Sequence, residues 1–122
     1  MKKILFIEDE PALQKALGDF LKSKGYVLFS ALNGPGGLEL AKSQHPDLIL
    51  LDLILPGIPG LELLERLRAQ EETKAIPVIV LTNVESSEAV ERAVKLGATT
   101  YLVKTNYSLD EVLEKVKAVL KQ

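Results

Sequence analysis

Five short, almost wholly apolar runs, separated by stretches of helical period, limit what this chain can become. They are Ile4–Ile7, Val27–Ala31, Leu48–Leu51, Val78–Leu81 and Tyr101–Val103. Each is too short for a helix and lacks the alternation of a strand with one wet face. Each therefore reads as a strand buried on both faces. A helix candidate follows every run. The first carries Leu13, Leu17, Phe20 and Leu21 on one face, with Pro11 in its first turn and Gly25 as its stop. The second begins near Asn33, weakened by Gly36-Gly37 at about 1 kcal/mol per glycine relative to alanine. The third carries Leu61, Leu64 and Leu67. The fourth, about Glu85 to Leu96, offers only Ala89, Val90, Ala93 and Val94 to the core and stops at Gly97. The fifth opens with Ser108-Leu-Asp-Glu111, a capping-box pattern, and ends among lysines that suit its dipole.

Repeated strand–helix units predict an α/β fold: a doubly wound parallel sheet of five strands in the order 2-1-3-4-5. The 122 residues fit one domain, expected over 1–122, with no linker and no room after the last helix for an output domain. A net charge of −2 gives no drive toward nucleic acid or an anionic membrane. The absence of cysteine excludes disulfides and thiolate metal sites, and fits a cytoplasmic setting. The opening apolar run is too short for a signal peptide, and Glu8-Asp9-Glu10 ends it.

Ligands of open parallel sheets bind at the carboxyl ends of the strands, near the reversal of strand order. Glu8-Asp9-Glu10 follows the first strand, Asp52 the third, Thr82-Asn83 the fourth and Lys104 the fifth. Asp52 should be buried, and a buried carboxylate needs a partner. Glu8, Asp9 and Asp52 bring three negative charges against one positive charge from Lys104. The excess calls for a divalent cation, and an oxygen-only donor set favours Mg²⁺ or Mn²⁺ over Zn²⁺. Such an ion would offset carboxylate repulsion and neutralise an incoming phosphoryl group. Thr82 and Lys104 could each bind a phosphoryl oxygen. Together the residues describe aspartyl phosphate formation.

Along essentially its whole length the chain resembles the receiver domain of bacterial response regulators, which is flavodoxin-like in fold. The matching features are Glu8-Asp9-Glu10, Asp52 with Pro56 and Gly60 downstream, Thr82, Gly97-Ala98, Tyr101 and Lys104. The resemblance implies a stand-alone switch in a two-component phosphorelay. A histidine kinase, a histidine phosphotransfer protein or a small phosphodonor would supply the phosphoryl group to Asp52. It implies that Asp9, Asp52 and the backbone carbonyl of Ile54 ligate the metal, with Glu8 acting through water. It also implies that Thr82 and Tyr101 form a switch pair. The chain would catalyse only its own phosphotransfer and slow dephosphorylation. It would act on an unknown protein target, bind neither nucleic acid nor membrane, and could dimerise on phosphorylation. The output face is expected on the fourth helix, fifth strand and fifth helix, because the alanine-rich fourth helix should cost least to move.

Four features depart from the family pattern. Thr105 stands where proline usually follows the lysine, and a cis bond there would cost about 3–4 kcal/mol, so the site stores strain or the loop runs differently. Asn83 is larger than the usual residue and could hinder a phosphodonor or shield the phosphoryl group. Pro59 should stiffen the loop after Asp52. Ile54 and Val84 are both apolar and position no attacking water, so phosphoryl loss should be slow.

Other readings stay open. A phosphorylation-independent interaction module on the same fold draws support from Thr105 and Asn83. An aspartate-nucleophile phosphohydrolase of the haloacid dehalogenase kind needs a second Asp where Ile54 stands. A flavin or nucleotide site would need donors where Glu8-Asp9-Glu10 repels phosphate. His45 reads as structural or exposed, and Gly34-Pro-Gly-Gly37 lacks the Lys-Ser/Thr of a phosphate loop.

Overall fold

The computed structural model describes all residues, Met1–Gln122. Strands β1 (Lys3–Ile7), β2 (Val27–Ala31), β3 (Leu48–Leu51), β4 (Val78–Thr82) and β5 (Thr100–Val103) alternate with helices α1 (Pro11–Ser23), α2 (Gly34–Gln44), α3 (Gly60–Arg68), α4 (Ser87–Lys95) and α5 (Leu109–Leu120). All strands are parallel, in the order β2-β1-β3-β4-β5. The α/β doubly wound, flavodoxin-like expectation is met.

The uniform apolar runs have a direct cause. Successive side chains of a strand point to opposite faces, and both faces are covered. Leu5, Ile7, Ile49, Leu51, Val78 and Val80 pack with Leu63, Leu64 and Leu67 of α3. Ile4, Phe6, Leu48, Leu50, Ile79 and Leu81 pack with Leu17 and Leu21 of α1 and Val112, Leu113 and Val116 of α5. Each such leucine or isoleucine, once fully buried, contributes about 1.5–3 kcal/mol relative to exposure. The edge strands differ from expectation. β2 and β5 are only partly buried, because an edge strand has one neighbour and shorter cover.

The helix ends follow their sequence signals. Gly25, at φ +96°, turns the chain after α1. Ser108 and Glu111 form the full capping box of α5. The Gly36-Gly37 penalty in α2 is overridden by packing. A Cβ on Gly37 would stand 2.6 Å from Ile7 Cδ1, and one on Gly34 would stand 2.7 Å from Ile58 Cβ. Asn33 caps this helix by accepting from the Gly36 N–H at 2.7 Å. His45 ends α2 in the left-handed region, at φ 47°, and is exposed. In α4 only Ala93 is buried. Val94, expected in the core, is 59% exposed. The guanidinium of Arg68 donates to the carbonyls of Lys74, Ile76 and Gly97, tying the end of α3 to the turn after α4. No helix is long and apolar enough to cross a membrane.

Candidate functional site

The carboxyl edge of the central strands collects the residues singled out in the sequence. The Asp52 amide donates to the Ile7 carbonyl at 3.1 Å, so the β1–β3 ladder runs through the residue and sets where its side chain emerges. The carboxylate is buried. Its Oδ1 accepts from the Ile54 N–H at 3.3 Å, and its Oδ2 accepts from Lys104 Nζ at 3.0 Å. Gly60 makes this possible from behind: its amide donates to Leu53 O at 2.9 Å. A Cβ there would stand 2.5 Å from the Asp52 carbonyl oxygen.

Glu8 is fully buried at the end of β1. Its Oε2 accepts from the Glu10 N–H at 3.0 Å. Its Oε1 stands 2.5 Å from Lys104 Nζ, an ion-pair contact without hydrogen-bond alignment. Lys104 thus bridges two buried carboxylates from the start of a single 3₁₀ turn, Lys104–Asn106. Burial pushes the Glu8 carboxyl above its ordinary pKa of 4.5, and the Lys104 contact offsets this only in part. Burial works against the Lys104 ammonium, yet its contacts with Glu8 and Asp52 outweigh burial and hold its pKa above the usual value.

Asp9 is exposed and its side chain makes no hydrogen bond or ion pair within the protein. Carboxylate oxygens of Glu8, Asp9 and Asp52 lie within 4.8 Å of one another. One ammonium cannot neutralise this cluster, and Glu8 Oε1 is buried without an aligned donor. The oxygen-only set suits a hard divalent cation, so the residues fit one. Ile54 lies beside the cluster and is 61% exposed.

Thr82, the last residue of β4, is fully buried, and its hydroxyl accepts from the Val84 N–H at 3.3 Å. The Tyr101 hydroxyl donates to the Val84 carbonyl at 2.5 Å. Burial, with the nearby Asp52 charge, raises the Tyr101 pKa above 10.0. The expected switch pair therefore meets through the backbone of Val84. Sequence reasoning named Val84 only for its apolar side chain, because this link needs two strands and a loop in register. Gln14 was missed as well. Its carboxamide donates to three backbone carbonyls at the ends of β1 and β2. The available signal was a polar residue on the inward stripe of α1 shared with Leu17, Gly18 and Leu21.

Two of the departures have a definite place in the structure. Every peptide bond is trans, so the loop after Lys104 takes the 3₁₀ route, with Thr105 exposed. Asn83 is also exposed and makes no side-chain hydrogen bond within the protein.

A buried aspartate is thus bridged to a lysine, beside two further carboxylates, at the carboxyl edge of a 2-1-3-4-5 sheet. The chain belongs to the response regulator receiver domain family, whose model matches residues 4–117. It is 37% identical over 122 residues to the DNA-binding dual master transcriptional regulator RpaA of Synechocystis sp., covering 100% of this chain and 50% of that protein. It thus spans about half the length of that relative. It is 33% identical over 119 residues to sporulation initiation phosphotransferase F of Bacillus subtilis, covering 98% of this chain and 94% of that protein. A CheY-like receiver domain structure from Methanospirillum hungatei JF-1 superposes with a TM-score of 0.93 at 28% identity, covering 99% of this chain and 94% of that one. Receiver domains are signalling domains of two-component systems that interact with histidine kinases or phosphotransfer proteins.

Proposed function

We propose that this domain is a phosphorylatable switch in which Asp52 accepts a phosphoryl group from a phosphohistidine or a small phosphodonor. The observation that carries the reading is Lys104 joined to both Glu8 and Asp52, with the Asp9 carboxylate beside them. An Asp52 carboxylate oxygen attacks phosphorus, the P–N bond to the donor imidazole breaks, and the bonding pair leaves with the imidazole, which takes up a proton. The product is a mixed anhydride on Asp52. Asp9, Asp52 and the Ile54 carbonyl would hold Mg²⁺ or Mn²⁺, with Glu8 acting through water. The ion would supply charge neutralisation at the phosphoryl oxygens.

Lys104 is already within reach of Asp52 Oδ2 and keeps its charge, so it can pair with a phosphoryl oxygen. The Thr82 hydroxyl has only a long bond to the Val84 N–H to give up. Turning toward the phosphoryl group, it would release one side of Val84, whose carbonyl holds Tyr101. That motion would reach α4, which buries only Ala93, and then the face made by α4, β5 and α5. Downstream protein binding, and pairing of two copies, would use this face. The full acidic set, with Lys104 paired to both Glu8 and Asp52, weighs against the phosphorylation-independent module.

Intact mass after treatment with Mg²⁺ and a small phosphodonor tests the reading. The wild type should gain one phosphoryl increment, and Asp52→Ala should gain none. No increment in the wild type, even with a cognate kinase, would favour the module. Amide exchange should then change on the α4–β5–α5 face. A change confined to another face would refute the proposed output.

A further inference from the structure

We propose that Gln14 is a positioning residue for the acidic site: it fixes the peptide between Glu8 and Asp9, and so sets the Asp9 carboxylate beside Asp52. Gln14 Nε2 lies 3.1 Å from Phe6 O, 3.0 Å from Glu8 O and 3.0 Å from Ala31 O. Ala31 O also accepts from the Glu8 N–H at 3.0 Å. Glu8 is therefore held at both its amide and its carbonyl within one cluster.

The β1–β2 pairing ends at Ile7 and Ala31. The Glu8 carbonyl lies past that point and needs a donor from elsewhere, and Gln14 reaches across from α1 to supply it. As a simple plug it is a poor choice. Its nitrogen carries two hydrogens for three acceptors, and its own Oε1 is buried with no partner. Turning the amide over would aim that oxygen at the carbonyls, so its orientation is fixed. The carbonyl of Glu8 belongs to the peptide that begins Asp9. Fixing that plane, with the Glu10 N–H held by Glu8 Oε2 at 3.0 Å, restricts the direction in which the Asp9 side chain leaves the backbone. Asp9 has no side-chain partner of its own, so this backbone bracket is what aims it.

The inference rests on the divalent-cation reading of Asp9 and Asp52, and the test separates the two. Mn²⁺ binding to the full chain is measured by electron paramagnetic resonance for wild type, Gln14→Met, Asp9→Asn and Val116→Ala. Methionine keeps the length of the side chain and removes the donors. Val116→Ala loosens the core under α5, away from the site. Supporting groups around metal ligands typically change affinity by about 10–100-fold. Gln14→Met should therefore bind Mn²⁺ roughly 10-fold or more weakly, while Val116→Ala keeps wild-type affinity. Equal affinity in Gln14→Met and wild type would overturn the inference, as would an equal loss in Val116→Ala. No Mn²⁺ binding by the wild type, or none lost in Asp9→Asn, would overturn the cation reading and this inference with it. The wild type gives a second readout that needs no variant. The Gln14 side-chain amide protons should exchange slowly, and more slowly with Mg²⁺. Exchange as fast as at the exposed Gln122 would overturn the inference.

Discussion

Replacing Lys104 with methionine keeps most of the side-chain stem and removes the one positive charge between two buried carboxylates. Lys104 stands 2.5 Å from Glu8 Oε1 and 3.0 Å from Asp52 Oδ2, and those side chains are only 1% and 6% exposed. Breaking a buried pair from one side costs about 3–5 kcal/mol. Two features lower that here. Lys104 retains 13% exposure, so water reaches the gap, and Glu8 can escape its cost by taking up a proton. The expected loss near pH 8 in the absence of divalent cation is about 2–3 kcal/mol. The pH dependence has a definite sign. Burial already raises the Glu8 pKa above 4.5, and loss of Lys104 raises it further. The native state then binds more protons than the unfolded chain above pH 4.5, so stability falls as pH rises through the folded pKa. Urea unfolding of wild type and Lys104→Met at about pH 5 and about pH 8, in chelator and then in Mg²⁺, measures this. The variant's deficit should be larger at the higher pH and partly recovered by Mg²⁺. A loss below about 0.5 kcal/mol, or a deficit that shrinks as pH rises, would refute the reasoning.

Other substitutions probe separate parts of the account. Gly60→Ala would drive a Cβ to 2.4 Å from Leu53 Cα and 2.5 Å from Asp52 O, both backbone atoms that cannot yield cheaply. It should destabilise by about 1–3 kcal/mol and reduce phosphorylation of Asp52, read by thermal melting and intact mass. Ser108→Ala removes the N-cap of α5 and should cost about 1 kcal/mol in urea unfolding. The Ser108 N–H holds the Glu111 pKa below 4.5, so this bond stabilises above pH 4.5 and is lost as pH falls through the lower folded value. Glu111→Gln should accordingly flatten the acid limb of the stability profile. Ile54 leaves no group to position water, so the phosphorylated form should persist, and Ile54→Asn should shorten its lifetime several-fold by timed intact mass. A wild-type half-life of seconds would contradict this.

The sheet was legible because strands covered on both faces need apolar residues throughout, and runs such as Leu48–Leu51 have few other uses. The site was legible because topology alone brings the ends of β1, β3, β4 and β5 to one edge. What escaped depends on contacts between elements. Gly36-Gly37 read as a weakness, yet a glycine is required where α2 meets Ile7. Val94 has the right residue type for the core, but α4 turns Ala93, with Ala89 partly buried beside it, toward the sheet and leaves Val94 exposed. The bracket from Gln14 and the clamp from Arg68 end on backbone carbonyls, which every residue carries, so no side-chain pattern announces them. The bond from Tyr101 to the Val84 carbonyl was hidden for the same reason.

The central claim is that Asp52 carries the phosphoryl group. Borohydride reduces an acyl phosphate to an alcohol, which marks the phosphorylated carboxylate permanently. Reduction of the phosphodonor-treated chain in Mg²⁺, followed by peptide fragmentation, should place that alcohol at residue 52 and at no other acidic position. An alcohol at Glu8 or Asp9, or an unmodified Asp52 in a chain that has gained phosphoryl mass, would contradict the account.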